Sequence, residues 1–106
     1  MISYTEFKDK DGTPLVITVE YDKHSWMDSI EVDIFVQKEV KYFIFWTKNK
    51  LVKVMQDIYS VSLDKDIDCD FIKTYATRTL EDYNNSLIYD EKRDKLKSMF
   101  NRNECK

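Results

Sequence analysis

Four aspartates alternate with other residues in one short segment of this chain: Asp64, Asp66, Asp68 and Asp70. They occupy positions 1, 3, 5 and 7 of a possible calcium-binding loop. Such a loop also needs a glycine at position 6 and a glutamate at position 12, where this sequence has Cys69 and Tyr75. The pattern therefore favours a solvated acidic segment leading into a helix over a calcium site.

A row of carboxylates also suits recognition of a basic protein, because it imitates the phosphates that a nucleic-acid-binding surface attracts. Asp57 is a candidate extension of this row. Trp26 and Trp46 are candidate aromatic anchors, although Trp46 is equally well explained as a core residue. Together with the four aspartates, these three residues form the partner-binding set that the sequence predicts.

Catalytic and cofactor chemistry has little support. The chain has one histidine and two cysteines, fewer than the roughly four ligands of a structural zinc site. Its single glycine and single proline share one turn, so no glycine-rich loop can cradle a phosphate. His24 beside Ser25 is most simply a surface-loop histidine, because so local a run does not form a catalytic triad without a special turn.

Cysteine and carboxylate catalysis are weak candidates too. Cys69 lies between two aspartates, whose negative charge opposes a thiolate, and Cys105 is the penultimate residue. Glu31 and Asp33 share one face of a predicted strand and could exchange a proton, but among twenty acidic residues nothing selects this pair. We therefore expect no enzymatic activity, no metal and no cofactor.

Lysines interleave with aromatic residues between Lys38 and Lys53. The lysines are Lys38, Lys41, Lys48, Lys50 and Lys53, and the aromatic residues are Tyr42, Phe43, Phe45 and Trp46. Single-stranded nucleic acid is bound by such a combination, through stacking on the rings and phosphate contacts to the lysines. The simpler interpretation is a central strand with buried rings, whose flanking lysines discourage edge-to-edge aggregation.

Composition describes a soluble globular chain. Apolar residues make up 42% and charged residues 35% of 106 positions, and no apolar run is long enough to span a bilayer. The net charge of −3 is unevenly distributed: −5 over residues 1–37, +4 over 38–53, −4 over 54–86 and +2 over 87–106. We expect one compact domain over residues 1–106, a cytoplasmic location, free thiols and faces of opposite sign.

The first half of the sequence predicts strands. Apolar and polar residues alternate in Leu15–Tyr21 and again in Ile30–Gln37, and weakly in Ile2–Lys8. A turn is expected at Asp9–Gly12, and a fourth strand over Val40–Thr47 after a polar break.

The second half changes to a helical period. A helix is predicted over Asn49–Ser60, although Tyr59–Leu63 also suits a strand. Asp70 is expected to cap a second helix that ends at Asn84-Asn85, and Asp90 a third. The predicted fold class is α+β: an antiparallel meander of about four strands followed by two or three helices packed on one face.

In size, acidity and poverty of motifs the chain resembles the immunity proteins of bacterial competition, and also phage-encoded inhibitors of host defence complexes. This resemblance implies an acidic cytoplasmic antitoxin that neutralises a cognate basic toxin or nuclease by occluding its working surface. The alternative function class is a small nucleic-acid-binding protein that uses residues 38–53. The negative net charge disfavours that alternative, because phosphate attraction supplies much of such affinity.

Overall fold

The computed structural model describes residues 1–21, 27–43, 46–64 and 66–102, of which 40–43, 46 and 47 are described by backbone alone. Four strands precede one helix. They are β1 (Ile2–Tyr4), β2 (Leu15–Tyr21), β3 (Ser29–Phe43), β4 (Trp46–Ser60) and α1 (Cys69–Arg102). The strands form a single antiparallel sheet in the order β1-β2-β3-β4, and α1 contacts β2, β3 and β4. An α+β architecture of this kind agrees with the predicted fold class.

Alternation of β-branched residues builds the face of the sheet that α1 covers. Ile17 pairs with Ile34 and Val19 with Val32 across the β2–β3 ladder, and all four side chains are buried. Successive strand residues point to opposite faces, so one register places the whole apolar set under the helix. The predicted turn at Asp9–Gly12 forms in the connection between β1 and β2, with Gly12 at a φ of 84°.

The β3–β4 hairpin extends well beyond the rest of the sheet. The β2 ladder ends where Leu15 pairs with Val36, whereas β3 and β4 stay paired as far as Phe43 and Trp46. Residues 37–43 and 46–51 therefore form a two-stranded ribbon, called the arm below. The polar residues at 37–39 do not break the strand, because their backbones pair with the facing strand β4.

The helix α1 begins with a side-chain cap. The Asp68 carboxylate accepts a hydrogen bond from the Phe71 backbone N–H at 2.8 Å, so Asp68 is the N-cap and the prediction of Asp70 was wrong by two residues. The first half of α1 packs on the sheet through Ala76 and Thr79, both 0% exposed. The Thr79 hydroxyl also lies 2.8 Å from the Tyr59 hydroxyl of β4.

The predicted helix over Asn49–Ser60 is wrong, because this segment is strand β4. A bulge explains the error: Ile34 pairs with Met55 but Phe35 with Lys53, which leaves Val54 as an extra residue. The bulge shifts the alternation by one position, so Val52, Met55 and Tyr59 share the face that carries α1. Their spacing of three and four residues imitates a helix.

The prediction of two or three helices is not confirmed, because α1 is one helix of 34 residues. Asn84-Asn85 does not end it: the Asn84 side-chain oxygen accepts a hydrogen bond from the Lys10 backbone N–H at 2.9 Å. Asp90 does not cap a new helix but pairs with Arg93 on the next turn. With no glycine or proline after Pro14, the sequence contains no strong helix stop.

Two projecting parts give the molecule an extended shape. Its radius of gyration is 18.2 Å, against about 13 Å for a compact chain of roughly 100 residues. The arm is one projection. The other is the part of α1 after Tyr83, residues 84–102, called the distal part of α1 below. Tyr83 is the last residue of α1 that packs against the core.

We expect Ala76→Leu to destabilise the protein by about 2 kcal/mol, because the added carbons have no space at a fully buried helix–sheet contact. Thr77→Leu is the matched control: its side chain is exposed on the neighbouring position, and its effect should stay within about 0.5 kcal/mol. Urea unfolding followed by circular dichroism measures both. Equal effects would contradict the described packing of α1.

Candidate protein-binding pocket

An open apolar pocket of 330 Å³ lies at the end of the sheet where α1 begins. It is built by the ends of strands, by residues 61, 63 and 67 of the connection after β4, and by the first turn of α1. Its lining residues are Met1, Ile2, Val19, Glu20, Tyr21, Asp28, Ile30, Val61, Leu63, Ile67, Phe71 and Ile72. Ten of these twelve residues are apolar or aromatic, and such pockets hold the anchor side chains of partners.

Several large apolar side chains at the pocket remain substantially exposed. Tyr21 is 57%, Leu63 56% and Ile67 53% exposed. The Tyr21 hydroxyl donates a hydrogen bond to the Asp28 carboxylate, and the Asp28 backbone carbonyl accepts one from the Val61 N–H, so the rim is internally braced. Contiguous exposed apolar surface with a polar rim is typical of an interaction site.

The four alternating aspartates belong to the segment that supplies Leu63, Ile67 and Phe71 to this pocket. Asp64, Asp66, Asp68 and Asp70 are all exposed, and they are interleaved with the lining residues of the same segment. Asp64 accepts a hydrogen bond from the Ser62 hydroxyl, and Asp68 caps α1. The predicted acidic row therefore shares its segment with the lining of an apolar pocket that the sequence did not predict. Val61 and Leu63 just before the acids and Ile67 between them were the available signal.

The same aspartates do not form a calcium loop. Positions 6 and 12 of that loop, Cys69 and Tyr75, lie inside α1, so the backbone cannot curl around an ion. Within the described residues, no group of three or more His, Cys, Asp or Glu side chains is placed to hold a metal ion.

Asp57 lies away from the pocket, on β4. It is half-buried and accepts a hydrogen bond from the Tyr59 hydroxyl at 3.2 Å. Burial raises the pKa of Tyr59, and the neighbouring Asp57 charge adds to this effect. The hydroxyls of Tyr59 and Thr79 join this aspartate to α1, so its local role is to connect sheet and helix.

The two predicted aromatic anchors are not brought to the pocket by any described contact. Trp46 begins β4 at the tip of the arm, opposite Phe43 and at the far end of the hairpin from Ser60. Trp26 lies outside the described residues, as do His24 and Cys105. Cys69 is an exposed free thiol at the start of α1.

A second concavity, of 460 Å³, lies on the outward side of α1 and is lined by that helix alone. Its lining combines charged and hydroxyl side chains at successive turns, including Asp70, Arg78 and Glu81. A single convex helix offers no opposing wall to enclose a ligand, so this surface is a weaker candidate than the apolar pocket.

The paired carboxylates lie on the sheet face opposite α1. Asp33 is buried between neighbouring strands, and its Oδ1 atom lies 3.6 Å from the Lys53 ammonium without a hydrogen bond. Partial burial, a hydrogen bond with Asp33 and the Asp33 charge raise the pKa of Glu31. Gln56 donates a hydrogen bond to Glu31. The two carboxylates are neighbours, but no described element covers this face to form a substrate cleft.

No protein-family model matches the chain, and neither the curated proteins nor the solved structures contain a match. Within the described residues, no helix combines the length and the apolar character needed to cross a membrane.

We expect Glu31→Gln to stabilise the protein at pH 7 but not near pH 4. The raised pKa of Glu31 means that the folded state binds this proton more tightly than the unfolded state. The contribution of Glu31 to stability therefore falls as pH rises from its pKa in the unfolded state through its pKa in the folded state. Glutamine removes this loss and keeps an oxygen acceptor for Gln56. Thermal unfolding midpoints at pH 4 and pH 7 test this. A variant that is less stable than wild type at pH 7 would contradict the assignment.

Proposed function

We propose that this protein is a protein-binding module whose pocket receives an apolar side chain flanked by basic groups of a partner. One observation carries the proposal: an open 330 Å³ apolar pocket is lined in part by the segment that carries four exposed aspartates. Apolar anchors supply most of the free energy at protein interfaces, and a charged surround fixes the orientation and the choice of partner.

The surfaces at the pocket favour a protein partner over a small molecule. Its lining residues Leu63 and Ile67 are exposed, so the pocket does not enclose a ligand on all sides. An open pocket of this kind suits a side chain that projects from the surface of a partner protein. Carboxylates at Asp64 and Asp66 would attract a basic partner over distances of about 8–10 Å at physiological ionic strength. Such attraction raises the association rate and disfavours acidic competitors.

Occlusion is the mechanism that these features support. A rigid sheet-and-helix body that fills the basic working surface of a toxin or nuclease inhibits it without any catalytic group. The immunity and antitoxin class, including inhibitors of defence complexes, is accordingly the function we propose, acting in the cytoplasm on a cognate basic protein. The row of aspartates stands in for the phosphates of the partner's own substrate.

We expect Asp64→Lys/Asp66→Lys to abolish capture of the cognate partner, because charge reversal replaces attraction by repulsion at the pocket. The control is Glu81→Lys/Asp82→Lys, which makes the same charge change at exposed positions in the middle of α1. Tagged wild-type and variant proteins are used to capture partners from native lysate after nuclease treatment, and bound proteins are identified by mass spectrometry.

A partner retained by wild type and by the control, but lost from the pocket variant, supports the proposal. Ile67→Ser should weaken the same complex at least tenfold through loss of an apolar contact, with little change in folding because this side chain is 53% exposed. Identical protein sets on all the baits, or recovery that requires nucleic acid, would refute the pocket as the binding site.

A further inference from the structure

Lysines face one another across the arm. Lys38 pairs directly with Lys50 in the β3–β4 ladder, and Val40 pairs with Lys48 on the same face. Like charges directly opposite in an antiparallel pair repel. No ion pair between Lys38, Lys48 or Lys50 and a carboxylate occurs within the described part of the chain, and all three side chains are exposed. This uncompensated charge suits an anionic ligand.

These lysines lie on the face of the sheet that carries α1. Val36 packs against the core under the helix, and Lys38 follows it by two residues, so both point to the same side. Val52 and Lys50 are related in the same way on β4. The basic face of the arm therefore continues the apolar face of the sheet.

The distal part of α1 projects from the same end of the sheet as the arm. The helix starts beside Tyr21 and Ile30, and it reaches Lys10 further along through Asn84 and Glu91. Lys10 belongs to the turn that precedes Leu15. Leu15 pairs with Val36, the last residue of β3 before the arm begins. Arm and distal helix thus diverge from one end of the molecule.

Exposed aromatic side chains lie on the side of α1 that faces β4. Tyr75 marks that side, because its ring contacts the Tyr59 ring at 5.1 Å. Tyr89, Arg93 and Phe100 follow Tyr75 by about four, five and seven helical turns and so return to this side. Tyr89 is 65% and Phe100 74% exposed, and the Arg93 guanidinium lies 5.7 Å from the centre of the Tyr89 ring.

We propose that the arm and the distal part of α1 bind single-stranded nucleic acid. Phosphates contact Lys38, Lys48 and Lys50, and bases stack on the exposed rings of Tyr89 and Phe100. The negative net charge, which disfavours such binding by the chain as a whole, is carried elsewhere: residues 38–53 and 92–102 each carry +4 and the remaining residues carry −11. The site is distinct from the acidic pocket, which lies at the other end of the sheet.

Fluorescence anisotropy with a labelled 20-nucleotide oligo-dT strand measures the binding. Lys97 follows Tyr75 by about six helical turns and so lies on the same side of α1 as Arg93. With five phosphate contacts, from the three arm lysines, Arg93 and Lys97, the plot of log affinity against log salt should have a slope of about −3.5. We expect Lys38→Gln/Lys50→Gln to reduce the steepness by about 1.4 and to weaken binding roughly 25-fold at 0.1 M salt. These exposed substitutions leave the folded core untouched, which circular dichroism verifies.

The matched control is Lys73→Gln/Lys95→Gln, which removes two charges from the side of α1 away from β4. It should change the affinity less than about threefold. Phe100→Ala should weaken binding roughly tenfold through loss of one stacked base, whereas Phe100→Tyr should retain it.

Three outcomes would overturn the proposal. The first is no saturable binding of oligo-dT below 100 μM protein in 50 mM salt, a range in which even weak non-specific nucleic-acid binding is measurable. The second is displacement of the labelled strand by a 20-residue poly-L-glutamate as effectively as by unlabelled oligo-dT. That result would show that the surface binds an acidic polypeptide as well as it binds nucleic acid. The third is binding of a 20-base-pair duplex in preference to the single strand. Pocket variants such as Ile67→Ser should leave oligo-dT binding unchanged, so this test is independent of the protein-binding proposal.

Discussion

The close contact between α1 and the middle of the sheet is the constraint on which the rest of the structure depends. Only six apolar residues are fully buried within the described chain, and Ala76 is the one that α1 contributes. A small side chain there lets the helix approach Ile17 and Ile34 closely, while Thr79 fixes its rotation through the Tyr59 hydroxyl. Because so few residues are buried, this one contact positions both the pocket at the start of α1 and the projection at its end.

Much of the strand architecture could be predicted from sequence because burial on one face imposes a period of two. The prediction succeeded at Leu15–Tyr21, where buried and partly buried residues alternate, and at the start of β3, where apolar residues recur at every second position. It failed over Asn49–Ser60, because a single bulged residue, Val54, turned strand spacing into helical spacing. A local irregularity of the ladder depends on how β3 and β4 pair, and no single strand's sequence reports it.

The length of α1 and the position of the pocket depend on tertiary contacts and were missed for that reason. Asn84 is an ordinary helix terminator, but here its amide is satisfied by the backbone of Lys10, 74 positions earlier in the chain. The aspartates beside the pocket were recognised from their regular spacing, whereas the pocket itself was not. Its lining comes from five separate stretches of the chain, and only the fold brings Tyr21, Ile67 and Phe71 together.

The order of the sheet has a consequence for how the chain acquires its structure. Every pair of adjacent strands is also consecutive in sequence, so the sheet can assemble by successive hairpins with little loop-closure entropy. Only α1 must then join a partner that is distant in sequence, strand β2. The helix therefore completes the fold by docking on a sheet that is already paired. Until it docks, the apolar face of β2 and β3 is open to solvent, and that interval is when the chain is most exposed to aggregation.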